Sequence, residues 1–186
     1  MTSVRTRFDL LGEKNTGDPN TLVDFVTWSK ELAPADNYGL ILWDHGAGLG
    51  GANFDDEDFH TMDWLTTPEI TEALTGLSTD GPAVDLLSFD ACLMSMAEIG
   101  YELRTLTDVY VASQENVGVD GYDYTTLFNS LGQNPGNITA EELGAGFVRS
   151  YHDSYAGDFR GFDTESAIRT SEFDSLADAM KQFEHH

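Results

Sequence analysis

The sequence predicts an α/β fold in which helices cover both faces of one open, mainly parallel β-sheet. Residues 38–43, 84–89 and 109–112 are predicted to be strands, and the first is too uniformly apolar to have a solvent-facing side, as is typical of buried parallel strands. Segments of helical periodicity lie between these strands, and such alternation indicates a parallel, helix-covered sheet. A chain of 186 residues is the size of one domain, so we expect residues 1–186 to form a single domain.

The first half of the chain is predicted to contain, in order, an edge strand or extended lead-in, a helix, a buried strand, a long loop and a short helix, at residues 3–11, 20–33, 38–43, 46–63 and 67–74. Asp18 is placed to cap the first helix, with Pro19 at its first helical position. Pro34 is expected to end that helix.

The second half is predicted to continue with strand, helix, strand, two helices, strand and helix, at residues 84–89, 94–106, 109–112, 124–131, 140–151, 162–168 and 171–183. Thr139 and Glu142 form a capping-box pattern that opens the helix beginning at residue 140. The helix after the second buried strand is expected to begin directly after Cys92. No internal repeat is present.

The composition is strongly acidic, with 33 Asp and Glu against 9 Lys and Arg and a net charge of −24. Nucleic-acid binding is disfavoured because the basic clusters that neutralise phosphates are missing. No apolar run is long enough to span a membrane, and none near the N-terminus predicts a secretory signal. Few lysines among many aspartates are typical of proteins from high-salt cytoplasm, which we expect here; an ordinary acidic protein is the alternative.

The acidic quartet at residues 55–58 is a candidate Ca²⁺ site, with Asp55, Asp56 and Asp58 as the candidate ligands. Carboxylate oxygens are the ligands that Ca²⁺ prefers. The quartet lacks the spacing of an EF-hand loop, however, and a solvated charged loop accounts for it more simply.

Two predicted strands end in residues that can carry nucleophilic chemistry, His45 after the first and Cys92 after the second. Ligand sites in parallel sheets lie beyond the carboxyl ends of the strands, so the two side chains are expected to face one cleft. A thiol attacks a carbonyl as the thiolate, and a nearby imidazole accepts its proton. The backbone N–H groups of Gly46 and Cys92 are the natural oxyanion donors. Alternatively, Cys92 fills the core and His45 is a hydrogen-bonded surface residue.

Longer motifs around these residues resemble the clostripain family of cysteine peptidases, which share a caspase-like fold with gingipains and legumains. The matching passages include Leu40-Ile41-Leu42-Trp43-Asp44-His45-Gly46, Phe89-Asp90-Ala91-Cys92-Leu93-Met94, Ala112-Ser113-Gln114-Glu115 and Asp120-Gly121-Tyr122-Asp123-Tyr124. The resemblance covers nearly the whole chain. It implies that His45 is the catalytic base and Cys92 the nucleophile, with no cofactor required for the chemistry.

The same resemblance implies specificity for protein or peptide substrates with Arg or Lys before the scissile bond. Asp90 and Asp120 match the acids that bind this basic side chain, a sensible role because a buried guanidinium needs a carboxylate partner. For Asp90, the alternative role is to cap the N-terminus of the helix expected after Cys92, and one carboxylate can serve both purposes.

The chain departs from the family pattern at its beginning and between the two candidate catalytic residues. Family members begin with a further strand–helix–strand segment that nothing here matches, so a fragment or shortened member with an incomplete sheet is expected. No Lys or Arg occurs from Gly46 to Glu102, so cleavage after a basic residue is not available between His45 and Cys92. We therefore expect a single, uncut chain. The function expected is that of a cysteine endopeptidase. The alternative is a catalytically silent binding or structural domain that holds Ca²⁺ at residues 55–58.

Overall fold

The computed structural model describes residues 11–55, 62–133, 136, 138–157 and 164–183, and the expected edge strand at 3–11 lies almost wholly outside them. Six helices are present in these ranges: α1 (Pro19–Leu32), α2 (Thr67–Leu77), α3 (Ala97–Leu103), α4 (Tyr124–Leu131), α5 (Ala140–Ser154) and α6 (Glu172–Phe183). The strands are β1 (Gly39–Trp43), β2 (Ala52–Asp55), β3 (Asp63–Leu65), β4 (Leu86–Asp90), β5 (Val109–Ser113) and β6 (Glu165–Arg169). None of the described helices is long and apolar enough to cross a membrane.

Four strands form the main sheet in the order β1-β4-β5-β6. β1, β4 and β5 are parallel, as predicted, and the register of the first pair sets Trp43 opposite Asp90. β6 runs antiparallel to β5, so the prediction that it continues a parallel sheet is correct only for the first three strands. Among the described residues, β1 pairs on one side alone and therefore forms an edge of the sheet.

The alternation of side chains along the strands divides the core into two layers. On one face Leu87 and Phe89 of β4 and Ala91, which follows it, pack in a large cluster with residues of α1, α2, α3 and α6. On the other face Leu86 packs with residues of β5, α4 and α5. Since side chains two apart share a face, Ser88 and Asp90 lie on the α4–α5 side, where the apolar surface of β4 becomes polar toward its carboxyl end.

The predicted starts of α1 and α5 are confirmed by their caps. The Asp18 carboxylate accepts a hydrogen bond from the Asn20 backbone N–H, with Pro19 following in the first turn of α1. Thr139 and Glu142 form the predicted capping box of α5, and Thr66 with Glu69 forms a second one at α2. Each cap satisfies backbone N–H groups that the first helical turn leaves unpaired.

The prediction of an unstructured loop over residues 46–63 is wrong for its described part. A short 3-10 helix at Gly48–Gly50 is followed by β2, which pairs with β3 in an antiparallel ladder. The glycines disguise this ladder in the sequence because they are weak strand formers. One of them, Gly51, has a φ of +107°, and a Cβ added to it would lie 2.5 Å from the Leu65 carbonyl oxygen. A side chain there would therefore collide with β3.

The prediction that a helix begins directly after Cys92 is also wrong, because residues 91–96 form a turn and α3 starts only at Ala97. The backbone N–H groups of Leu93 and Ser95 donate to the carbonyls of Glu115 and Ser113. These bonds hold the turn against the end of β5. They also pair N–H groups that would otherwise lie unpaired at a helix N-terminus. Cys92 consequently lacks the helix dipole that an adjacent N-terminus would supply.

Candidate active site

The carboxyl ends of β1 and β4 bring the two candidate catalytic residues to one place. Because Trp43 and Asp90 are register partners on parallel strands, His45 and Cys92 each lie two residues beyond the same point of the ladder. The contact is close: a Cβ on Gly46 would lie 2.3 Å from the Cys92 carbonyl oxygen and 3.0 Å from its nitrogen. Only glycine lets the two segments approach this closely.

The backbone beside both residues is held in sparsely populated conformations. Asp44, directly before His45, has a φ of 150°, and Leu93, directly after Cys92, has a φ of 63°. Residues other than glycine rarely adopt positive φ, and such strain concentrates at functional sites. The His45 side chain is exposed and the Cys92 side chain is half-buried, so both can reach a ligand in the cleft.

Three backbone N–H groups near Cys92 bear on its chemistry. The Val117 backbone N–H donates to Cys92 Sγ at 3.4 Å. Within the described ranges, the backbone N–H groups of Gly46 and Cys92 donate to no acceptor. Both are therefore free to bind an oxygen atom of a ligand, as the prediction of two oxyanion donors requires.

Asp90 is buried beside this site, with 3% of its surface exposed. Its Oδ2 accepts hydrogen bonds from the Tyr122 backbone N–H at 3.1 Å and from the Tyr124 hydroxyl at 2.7 Å. Oδ1 has no partner among the described residues. Burial raises the pKa of Asp90, and the hydrogen bonds from Tyr124 and Tyr122 offset part of the rise. The alternative role of Asp90 as a helix cap is wrong, because Met96 occupies the N-cap of α3.

Asp120 lies in the loop before α4 and is exposed. The next residue, Gly121, has a φ of +61°, and its virtual Cβ would lie 2.7 Å from Asp90 Oδ2. The structure thus brings the backbone next to Asp120 against the Asp90 carboxylate, while the two acids differ in burial.

Three further residues of this region were not singled out from the sequence. Tyr122 and Tyr124 hold Asp90, and Glu165 of β6 shares a hydrogen bond with the Tyr122 hydroxyl at 2.6 Å. The two tyrosines lie in the segment that carries Asp120, so their spacing of two residues was the available signal. No local sequence pattern predicts the burial of Glu165, because that burial depends on β6 pairing antiparallel with β5.

The acidic quartet gives no support to a Ca²⁺ site. Asp56 and Asp58 lie outside the described residues. Asp55 accepts hydrogen bonds from the backbone N–H of Thr16 at 2.9 Å and from its hydroxyl at 3.5 Å. In the described part of the chain, no three His, Cys, Asp or Glu side chains are grouped so that they could hold a metal ion.

Comparison with known proteins settles the family of this chain. Residues 5–186 match the clostripain family of peptidases. The chain belongs to the clostripain family. One curated relative is clostripain of Hathewaya histolytica, which is 33% identical over 178 residues, covering 76% of this chain and 33% of clostripain. The family resemblance expected from the motifs around His45 and Cys92 is confirmed.

Solved structures of clostripain-family relatives share the fold. A secreted C11 cysteine protease from Bacteroides thetaiotaomicron, in complex with an irreversible peptide inhibitor, superposes with a TM-score of 0.73 at 23% identity, covering 89% of this chain and 49% of that one. An inactive zymogen C11 protease from Parabacteroides distasonis gives a TM-score of 0.67 at 24% identity, covering 89% and 43%. The predicted α/β fold with a mainly parallel, open sheet is confirmed. The chain spans one third to one half of the length of these relatives.

Proposed function

We propose that this chain carries the catalytic centre of a cysteine endopeptidase that cleaves peptide bonds after Arg or Lys. One observation supports the proposal above all: Gly46 packs directly on the Cys92 backbone, so the residues after two neighbouring parallel strands form one cleft. Membership of a cysteine peptidase family adds to it. Two backbone residues with positive φ, Asp44 and Leu93, flank the same cleft.

In the proposed reaction Cys92 is the nucleophile and His45 the general base. The imidazole takes the thiol proton, and the sulfur attacks the substrate carbonyl carbon to form a tetrahedral intermediate. The N–H groups of Gly46 and Cys92 donate to the oxyanion that develops. The imidazolium then protonates the leaving amine, the carbon–nitrogen bond breaks, and water hydrolyses the thioester to release the acid and restore the thiol.

Specificity for a basic residue is proposed to come from Asp90, with Asp120 at the exposed side of the pocket. Asp90 is buried and one of its oxygens has no partner among the described residues, an unfavourable state that a cation entering the pocket would relieve. Guanidinium and ammonium groups supply the N–H donors that this oxygen lacks. A neutral substrate side chain supplies no charge and leaves the carboxyl group unpaired.

One observation favours a second function, a catalytically silent domain that uses the same cleft for binding. Among the described residues, His45 and Cys92 form no hydrogen bond with each other, and the sulfur is occupied by the Val117 N–H. The two functions differ in thiol chemistry. An active centre alkylates rapidly near neutral pH, whereas the thiol of a silent domain reacts only on unfolding.

Hydrolysis of fluorogenic peptide amides tests the proposed activity. We expect arginyl and lysyl substrates to be cleaved and the matched leucyl substrate to be left nearly intact. Cys92→Ala and His45→Ala should each lower kcat by at least about a thousandfold, because they remove the nucleophile and its base. His152→Ala, which changes an exposed histidine on α5, is the matched control and should keep full activity. Equal hydrolysis by the wild-type and Cys92→Ala chains would rule the mechanism out.

Asp90→Asn tests the specificity. It should lower the preference for arginyl over leucyl substrates by about a hundredfold, because a buried charge partner is lost. Asp120→Asn should damage this preference more than the chemical step. Asp80→Asn, in an exposed loop before β4, is the control for both. An unchanged arginyl preference in Asp90→Asn would refute the assignment of the pocket.

A further inference from the structure

Glu165 is a second buried carboxyl group at the proposed pocket for a basic side chain. It begins β6 opposite Ser113 of β5, and 8% of its surface is exposed. Its Oε1 meets the Tyr122 hydroxyl at 2.6 Å, and its Oε2 has no partner among the described residues. Tyr122 therefore joins the two acids, since its backbone N–H binds Asp90 and its hydroxyl binds Glu165.

The contacts of the Tyr122 hydroxyl are compatible with a neutral Glu165. The hydroxyl oxygen lies 3.1 Å from the Ser88 hydroxyl, 3.0 Å from the Phe89 carbonyl oxygen and 2.6 Å from Glu165. A phenol has one proton, so it donates either to Phe89 or to a carboxylate, but not to both. If Glu165 is protonated it donates to Tyr122, which donates to Phe89 and accepts from Ser88. The three contacts of the Tyr122 hydroxyl are then satisfied, while Glu165 Oε2 stays without a partner among the described residues.

The groups around Glu165 also favour its neutral form. The described titratable groups that face it are Asp90 from β4, Tyr110 from β5, Tyr122 from the loop before α4 and Tyr151 from α5. Burial, with repulsion from Asp90, raises the pKa of Glu165 to about 8. Burial also raises the pKa values of the three tyrosines, that of Tyr151 to about 12, so they stay neutral. Asp90 accepts two hydrogen bonds, which offset part of the rise that burial causes in its pKa.

We propose that Glu165 is a specificity-determining residue behind Asp90, neutral in the empty pocket and ionised when a cationic substrate side chain binds there. On ionisation the O–H bond of Glu165 breaks, its proton passes to solvent, and the Tyr122 hydroxyl turns from Phe89 to the new carboxylate. The substrate cation then meets two negative charges rather than one. This inference rests on the proposed function, because it takes Asp90 as the residue that receives the cation.

The test measures binding of agmatine, a guanidinium compound with no scissile bond, to the full chain carrying Cys92→Ala. Calorimetry at about pH 7, in buffers of different ionisation enthalpy, should show release of about half to one proton per agmatine bound. Affinity should rise about tenfold between about pH 6 and pH 9, because the cation stabilises the ionised acid. Adding Glu165→Gln should abolish both effects, whereas the control Glu72→Gln, an exposed change on α2, should preserve them.

The outcomes separate this inference from the proposed function. If agmatine fails to bind at any pH, both are wrong. If agmatine binds, and proton release and pH dependence are the same with and without Glu165→Gln, the role of Glu165 is refuted while the cation pocket stands. Should Glu165→Gln fail to fold, carbon-13 NMR of the glutamate carboxyl groups in the Cys92→Ala chain decides. One group should titrate near pH 8 and shift to lower pH with agmatine. The absence of any glutamate titrating above about pH 6.5 overturns the proposal.

Discussion

Gly46→Ala is a sensitive test of the site, because it adds a single methyl group where Gly46 packs on the Cys92 backbone. The added Cβ would lie 2.3 Å from the Cys92 carbonyl oxygen, 3.0 Å from the Cys92 nitrogen and 3.0 Å from the Ala91 Cβ. Ordinary contact begins at 3.4 Å, so the Cys92 backbone must move by about 1 Å. The φ of Gly46 is not positive, so the collision itself is the perturbation.

A displacement of about 1 Å at a nucleophile costs on the order of a hundredfold in rate, so kcat for arginyl amides should fall by that factor. Overpacking should also cost about 1–3 kcal/mol of folding free energy and lower Tm by several degrees. The assays are substrate hydrolysis and thermal unfolding followed by circular dichroism. Gly76→Ala is the matched control, since its added Cβ near the end of α2 meets nothing within 4 Å. A folded Gly46→Ala chain with wild-type kcat would refute the account of this contact.

Three further predictions concern the pocket and the charge. Gly121→Ala should raise KM for arginyl substrates, because its Cβ would push on Asp90; Gly157→Ala shares the positive φ without the collision and should leave KM unchanged. The pKa of Glu165 is raised from 4.5 to about 8, so the folded chain binds the proton more tightly and loses stability as pH rises through this window. Melting curves should therefore show Glu165→Gln gaining Tm over the wild type from about pH 4.5 to pH 8, and a constant difference would contradict the shift. The charge of −24 predicts that Tm rises between about 0.1 M and about 1 M KCl, because salt screens the repulsion between the acidic side chains. A variant whose added lysines balance the net charge should show no such rise.

The parts of the fold that follow from local patterns could be predicted from the sequence. The caps at Asp18 and Thr139 use side chains adjacent to the helices they start, and β4 follows an apolar stretch, with all five of its residues buried. The direction of β6 could not be predicted, because antiparallel pairing with β5 depends on the path of the chain between them. The turn after Cys92 was hidden for a related reason. Met94 packs in the core at a spacing that imitates the helix beginning at Ala97.

The candidate site divides in the same way. His45 and Cys92 follow recognisable strands, so their approach could be predicted from the rule that parallel strands end at one edge. The partners of Asp90 could not, since Tyr122 and Tyr124 reach it from a loop more than thirty residues away along the chain. Glu165 lies still further along, and only the sheet order places it beside them. Contacts between distant segments carry no local sequence pattern.

Covalent labelling of Cys92 tests directly whether its thiol is a nucleophile beside a pocket for a basic side chain. The folded wild-type chain is treated near neutral pH with an arginyl peptide chloromethyl ketone and, separately, with its leucyl analogue, and the products are mapped by mass spectrometry. We expect stoichiometric modification of Cys92 by the arginyl reagent and much slower reaction with the leucyl reagent. The Asp90→Asn chain should lose this difference. Reaction of Cys92 only after unfolding, or at equal rates with both reagents, would contradict it.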